Sequence, residues 1–256
     1  MATDRAATAV GVLALQGSFA EHIHAFESIS TSFSPPLSVV AVRTPADLAR
    51  CRALIIPGGE STTISLLIRK SGLYEPLKEM VRVAKKGGRR ALWGTCAGMI
   101  LLAKEIDGPT SEGWEGLDGM DVRVGRNQYG RQLQSFSTSL PLPFLSFSLT
   151  PSACEALLTA TFIRAPALHS ILPSSSSFPS VKPLVRLPAH LVPSPPQAHN
   201  ATNGSAERGP DADVVMARQG NLLVCSWHPE LNKTDARVHE WWVREMVFGG
   251  ERATGE

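Results

Sequence analysis

Three short apolar runs, Val10 to Leu15, Ala53 to Ile56 and Arg90 to Trp93, each stop at a glycine-containing turn and give way to a stretch of helical character. The turns are Gln16-Gly17, Pro57-Gly58-Gly59 and Gly94-Thr95-Cys96-Ala97-Gly98, and the helical stretches are Phe19 to Ile29, one running through Leu67, and Met99 to Ile106. A fourth β-rich run spans Val39 to Val42. Apolar runs without alternation read as strands buried on both faces. Strands that alternate with helices predict an α/β fold: a largely parallel sheet covered by helices on both faces. In such folds, sites lie beyond the carboxyl ends of the strands.

The later half of the chain changes character. Val214 to Ala217 and Leu222 to Ser226 flank Gln219-Gly220-Asn221, which reads as a hairpin turn because Gly and Asn tolerate positive φ. A final helix is predicted over Asp235 to Phe248. Between the halves, from about Pro173 to Asp211, Ser, Pro, Ala and Asn dominate. That composition buries too little apolar surface to offset chain ordering, so a mostly disordered insertion is expected, with a short strand near Leu184 to Leu187 as its one candidate element. The 256 residues then form one domain, 1–256, carrying an insertion at about 173–211.

Charge narrows the function. With 25 basic and 23 acidic residues the formal net charge is +2, which leaves no polybasic footprint for nucleic acid or an anionic membrane. A small-molecule substrate is the better expectation. No apolar stretch approaches the roughly 20 residues of a membrane span, and the N-terminus lacks a secretory pattern, so a cytoplasmic protein is expected. Cys51, Cys96, Cys154 and Cys225 show no CxxC spacing, against both a zinc site and a disulfide framework. Cys51, Cys154 and Cys225 read as quiet small side chains.

Cys96 differs in its neighbours. Gly94-Thr95-Cys96-Ala97-Gly98 joins a strand to a helix, the context of a nucleophile elbow. A tight turn there holds the central residue in a strained conformation and exposes its side chain, while flanking glycines let strand, helix and substrate approach closely. At a helix N-terminus the positive end of the dipole favours thiolate and thus nucleophilicity. The competing reading is an inert cysteine in a tight turn; the strand-before, helix-after context weighs against it.

A thiolate attacking an amide needs a proton donor for the leaving amine. His228-Pro229-Glu230, directly after the run Leu222 to Ser226, offers one. Pro229 biases His228 toward extended backbone, so that His228 and Glu230, two apart, point the same way and the carboxylate orients the imidazole. Nucleophile, acid/base and orienter are then Cys96, His228 and Glu230. His22, His24, His169, His190, His199 and His239 read as surface or satisfied core histidines. Backbone donors for an oxyanion are expected from Ala97, just after the nucleophile, and from Gly59 in the Pro57 to Ser61 turn, which parallel strands deliver to the same sheet edge.

The segments VGVLALQGSFAEHIHAFESI, ALIIPGGESTTISLLIRKSGLYEPL, GTCAGMILLAKEI, GRNQYGRQLQSF, FIRAP and QGNLLVCSWHPEL together resemble the glutaminase subunits of pyridoxal 5′-phosphate synthases, a group of class I glutamine amidotransferases. The cysteine elbow and the His-Pro-Glu triplet fit several class I enzymes; RNxxGRQxxSF and FIRAP are more specific to this subgroup. Residues 141–161 and 168–213 depart from the family pattern. The resemblance implies a flavodoxin-like fold of the class I amidotransferase kind. It also implies a glutaminase domain that hydrolyses L-glutamine without metal or organic cofactor, and a partner, the synthase catalytic subunit, that receives the ammonia. By resemblance Gly59, Glu60, Ser61, Arg126, Ile163 and Arg164 contact glutamine, and a guanidinium suits its carboxylate. Gln16, Glu21 and His22 are, by resemblance alone, candidates for the partner-facing surface. Two other functions stay open: a glutaminase serving another synthase, such as imidazole glycerol phosphate synthase, and a catalytically silent regulatory subunit of similar fold.

Overall fold

The computed structural model describes residues 9–108, 110, 112–126, 135–147, 157–192 and 209–249. In chain order its regular elements begin with β1 (Ala9–Leu13), α1 (Phe19–Ile29), β2 (Ser38–Val42), α2 (Pro45–Ala49), β3 (Ala53–Ile56), α3 (Ser61–Lys70) and α4 (Tyr74–Lys85). They continue with β4 (Ala91–Thr95), α5 (Ala97–Leu102), β5 (Ala103–Asp107), β6 (Met120–Gly125), β7 (Phe136–Pro141), β8 (Leu157–Phe162) and β9 (Ala167–Ile171). The last are β10 (Lys182–Arg186), β11 (Val214–Gln219), β12 (Leu222–Cys225) and α6 (Arg237–Trp242), the last prolonged by a wider π turn, Val243–Val247.

Among the described residues the main sheet has seven strands in the order β10-β11-β12-β4-β3-β1-β2. The five from β12 to β2 are mutually parallel, and β11 and β10 add antiparallel pairs at one edge. Alternation within the strands feeds two cores. Ala53, Ile55, Ala91 and Trp93 face one side with α1 and α6; Leu54, Ile56 and Leu92 face the other with α3, α4 and α5. Both faces are therefore dry, as the uninterrupted apolar runs require. A second sheet, β5-β6-β9, and the antiparallel pair β7-β8 flank it. No helix among the described residues is long and apolar enough to cross a membrane.

Three features depart from the sequence reading. The helix expected over Met99 to Ile106 stops at Leu102, and Ala103–Asp107 is a strand instead. The carbonyls of Leu101 and Leu102, which would continue the helix, accept from the amides of Leu117 (2.7 Å) and Gly119 (3.0 Å), so a distant loop ends it. Helix α4 escaped the reading although Leu77, Met80, Val81 and Ala84 recur at helical spacing and are buried.

The third departure concerns the expected insertion. Residues 173–192 lie within the folded body: Val185 and Leu187 are buried, β10 pairs with β11, and the Leu187 amide donates to Asp213 O at 2.7 Å. Polar ties hold the segment leading into β10. Gln219 Nε2 donates to Ser174 Oγ (3.0 Å) and Pro179 O (2.9 Å), and Lys85 Nζ sits 4.8 Å above the Phe178 ring. The candidate strand at Leu184 to Leu187 is thus part of the sheet. Residues 193–208 of the same stretch lie outside the described residues.

Candidate active site

Four neighbouring parallel strands end at one edge, and each contributes one part of the site. β1 leads into Ser18, β3 into Gly58, β4 into Cys96 and β12 into His228. Cys96 has φ 48° and ψ −104°, a conformation costly for a residue with a β-carbon, so the elbow is strained as expected, but its side chain is buried where exposure was expected. Its amide donates to Cys225 O at 2.9 Å, tying the elbow to β12. A β-carbon at Gly98 would collide with the Ile56 carbonyl, so only glycine lets α5 pack this close to β3.

His228 Nδ1 lies 2.7 Å from Glu230 Oε1. Burial opposes protonation of His228, yet the neighbouring Cys96 sulfur and the Glu230 carboxylate outweigh it and bring the imidazole up to about 10. Burial opposes ionisation of Glu230, yet the imidazoles of His22 and His228 and the hydrogen bonds from His228 and Ser18 hold its carboxyl down at about 2. The His228 amide donates to Thr161 O at 2.9 Å, which moors His228 to β8. Two residues on, the Ile163 carbonyl stands 3.9 Å from Cys96 Sγ, so FIRAP is delivered to the thiol despite the atypical segment before it.

The remaining candidates divide. Ala97 follows Cys96 directly, and the Gly58-Gly59 turn covers the dyad: a β-carbon on Gly58 would lie 2.9 Å from His228 Nδ1 and 3.3 Å from Cys96 Cβ. Gln16 Oε1 accepts the Glu60 amide at 2.9 Å and packs against Gly59, fixing that turn from β1. The Glu60 carboxylate caps α3, accepting from the amides of Thr62 (3.0 Å) and Thr63 (2.7 Å), and Ser61 is buried in its first turn. Arg126 lies over the Trp114 ring at 5.3 Å and within electrostatic reach of Glu60. Arg164 is exposed, with φ 46°. Residues 127–134 of the GRNQYGRQLQSF segment lie outside the described residues.

Sequence reasoning missed Ser18; His22 and His239 fit the satisfied-core reading, but not the partner-facing role that resemblance also gave His22. The Ser18 hydroxyl donates to Glu230 Oε1 at 2.5 Å, and its amide to Gly58 O at 3.0 Å, so it links the orienting carboxylate to the covering turn. His22, a candidate for the outer surface, is fully buried with Nε2 3.3 Å from Glu230 Oε2. His239 stands behind it, Nε2 2.9 Å from His22 Nδ1. The one sequence signal for His22 is its helical spacing with Phe26 and Ile29, which places it on the buried face of α1.

The chain is similar to known proteins over most of its length. Subunit SNO1 of pyridoxal 5′-phosphate synthase from Saccharomyces cerevisiae is 37% identical over 240 residues, covering 93% of this chain and 92% of the yeast protein. Subunit PdxT from Thermococcus onnurineus is 38% identical over 238 residues, covering 93% and 98%. A crystal structure of a glutamine amidotransferase superposes with TM-score 0.66 at 33% identity, over 93% of this chain and 98% of that one. The model of the SNO glutamine amidotransferase family matches residues 12–192 and 193–248, and the chain belongs to that family.

Proposed function

We propose that the chain is the glutaminase subunit of a pyridoxal 5′-phosphate synthase, with Cys96, His228 and Glu230 as its triad. The observation that carries the reading is the strained cysteine beneath a hydrogen-bonded His228-Glu230 pair, 2.7 Å from nitrogen to oxygen, in a family of glutamine amidotransferases. Cys96 sulfur attacks the side-chain carbonyl of L-glutamine, and the tetrahedral oxyanion is received by the amides of Ala97 and Gly59. His228 gives its proton to the departing amine, so the C–N bond breaks, ammonia leaves and a γ-glutamyl thioester remains. His228 then takes a proton from water, the hydroxide displaces the thiolate, and glutamate is released. Glu230 holds the imidazole in orientation and stabilises its charged form throughout.

Substrate recognition is assigned to Gly59, Glu60, Ser61, Arg126, Ile163 and Arg164, with a guanidinium taking the glutamine carboxylate. Ammonia is consumed by the synthase catalytic subunit. A cavity of about 540 Å³ between α1 and the segment after Glu230 includes Glu21, one of the residues that the resemblance gives to the partner-facing surface. A nucleophile that must stay a thiol suits the reducing cytoplasm.

The test is glutamine hydrolysis by the purified chain with and without a pyridoxal phosphate synthase catalytic subunit. Glutamate release dependent on that subunit is the expected result. Hydrolysis stimulated instead by imidazole glycerol phosphate synthase, or none with either partner, overturns the reading.

A further inference from the structure

A buried imidazole is costly unless its ring nitrogens are partnered. His22 is enclosed by Trp93 and His239, with ring centroids 6.2 and 5.2 Å away. Its Nδ1 meets His239 Nε2 at 2.9 Å; its Nε2 faces Thr95 Oγ1 at 3.2 Å and Glu230 Oε2 at 3.3 Å. Burial lowers both rings, His239 to about 3, against the opposing charge of Glu230. Each ring is then neutral near pH 7 and carries one N–H.

The carboxylate decides where those hydrogens sit. A lone pair on His22 Nε2 aimed at Oε2 would repel it, so Nε2 carries the hydrogen and Nδ1 accepts from His239 Nε2–H. Glu230 Oε1 is already occupied by His228 (2.7 Å) and Ser18 (2.5 Å). Oε2 is buried and receives no well-formed hydrogen bond from the described residues. The His22 N–H, a dipole shared with Thr95 and long for a charge-assisted bond, is what faces it.

We infer that His22, locked in one tautomer by His239, is a positioning residue for the reaction: it fixes Oε2 of Glu230, so that Oε1 stays directed at His228 and the imidazole stays directed at Cys96. The inference rests on the triad assigned above. It gives a role to two buried histidines whose partners are distant in sequence, and it explains why a helix of the outer layer carries a polar ring in its packed face.

Two variants test it. His22→Leu removes the donor and keeps the bulk; His22→Gln retains an N–H that can reach Oε2. In the complex with the catalytic subunit, His22→Leu is expected to lower kcat for glutamine about tenfold with KM within about twofold, and His22→Gln to restore most of the loss. A second readout needs no turnover: iodoacetamide alkylation of Cys96, followed on its own peptide by mass spectrometry. In His22→Leu the rate at about pH 6.5 should fall about fivefold, converging with the parent at about pH 10 where thiols ionise unaided. If the parent hydrolyses no glutamine, the functional reading falls and alkylation still decides this inference. Parental alkylation in His22→Leu overturns it, as does an equal loss in His22→Leu and His22→Gln that tracks melting temperature. Should His22→Leu fail to fold, His239→Leu, which frees the tautomer, is expected to slow alkylation at least about twofold at the lower pH, and an unchanged rate overturns the inference.

Discussion

Gly58 approaches the His228 ring so closely that a β-carbon on residue 58 would collide with Cε1 and lie 2.9 Å from Nδ1. The same turn accepts the Ser18 amide at 3.0 Å, so it cannot swing aside without giving up that bond. Gly58→Ala should therefore displace the imidazole rather than the turn. Glutamine hydrolysis is expected to fall about a hundredfold, the scale for reacting groups moved by an ångström, in a protein with native circular dichroism. A loss below about threefold would show that the turn yields instead.

Cys96→Ala and Cys96→Ser should abolish pyridoxal phosphate formation from glutamine in the reconstituted complex while synthesis from added ammonium salts persists. In the proposed mechanism the thiol makes the ammonia and takes no part in using it. Equal loss of both activities would mean that Cys96 supports assembly or folding.

His239 gives a pH dependence of stability with a defined sign. Burial holds its folded-state value at about 3, below the ordinary 6.5. As pH falls below about 6.5 the unfolded chain takes up a proton that the native ring refuses, so stability is full above that pH and is lost toward pH 3. The slope is about 1.4 kcal/mol per pH unit for one proton, and His22 adds in the same direction. His239→Gln keeps a donor toward His22 without titrating. Urea denaturation between about pH 5 and pH 6.5 should show its slope reduced by about one proton relative to the parent. Parallel slopes would mean that His239 is protonated in the folded protein.

The edge strand β10 can be tested by Val185→Ala. Val185 is buried and packs with Leu187 against the core on the α1 side. Losing two buried methyl groups should cost about 2 kcal/mol in denaturant unfolding, whereas exposed Lys182→Ala should change it by less than about 0.5 kcal/mol. No effect at Val185 would leave β10 without a share in holding the sheet.

What could be read in advance follows from the reach of each interaction. The elbow around Cys96 and the His-Pro-Glu triplet are short segments whose geometry is set by neighbours in sequence, so glycine spacing and the extended bias before Pro229 exposed them. The parallel sheet was legible because burial on both faces leaves apolar runs. Ser18 and His22 were not, since each acquires its meaning from Glu230, more than 200 residues away. The end of α5 is set by amides of a later loop, which no local propensity records. The segment from Ser174 into β10 is rich in Ser and Pro and is held by Gln219 and Lys85, so composition alone argued against the order it has.

The position of β12 beside β4 bears on how the chain comes to work during its synthesis. Cys96 emerges with the early strands, but its proposed base, His228, arrives 132 residues later (228 − 96), just after a strand that joins the sheet next to β4. Such a long-range pairing is among the slower events of folding, because loop closure must precede any gain from contact. A nascent or truncated chain holding β1 to β4 therefore presents a thiol with no imidazole to serve it. With the proposed triad, hydrolysis begins only once β12 is seated, which spares the cell an unfinished enzyme that consumes glutamine before it can hand its ammonia on.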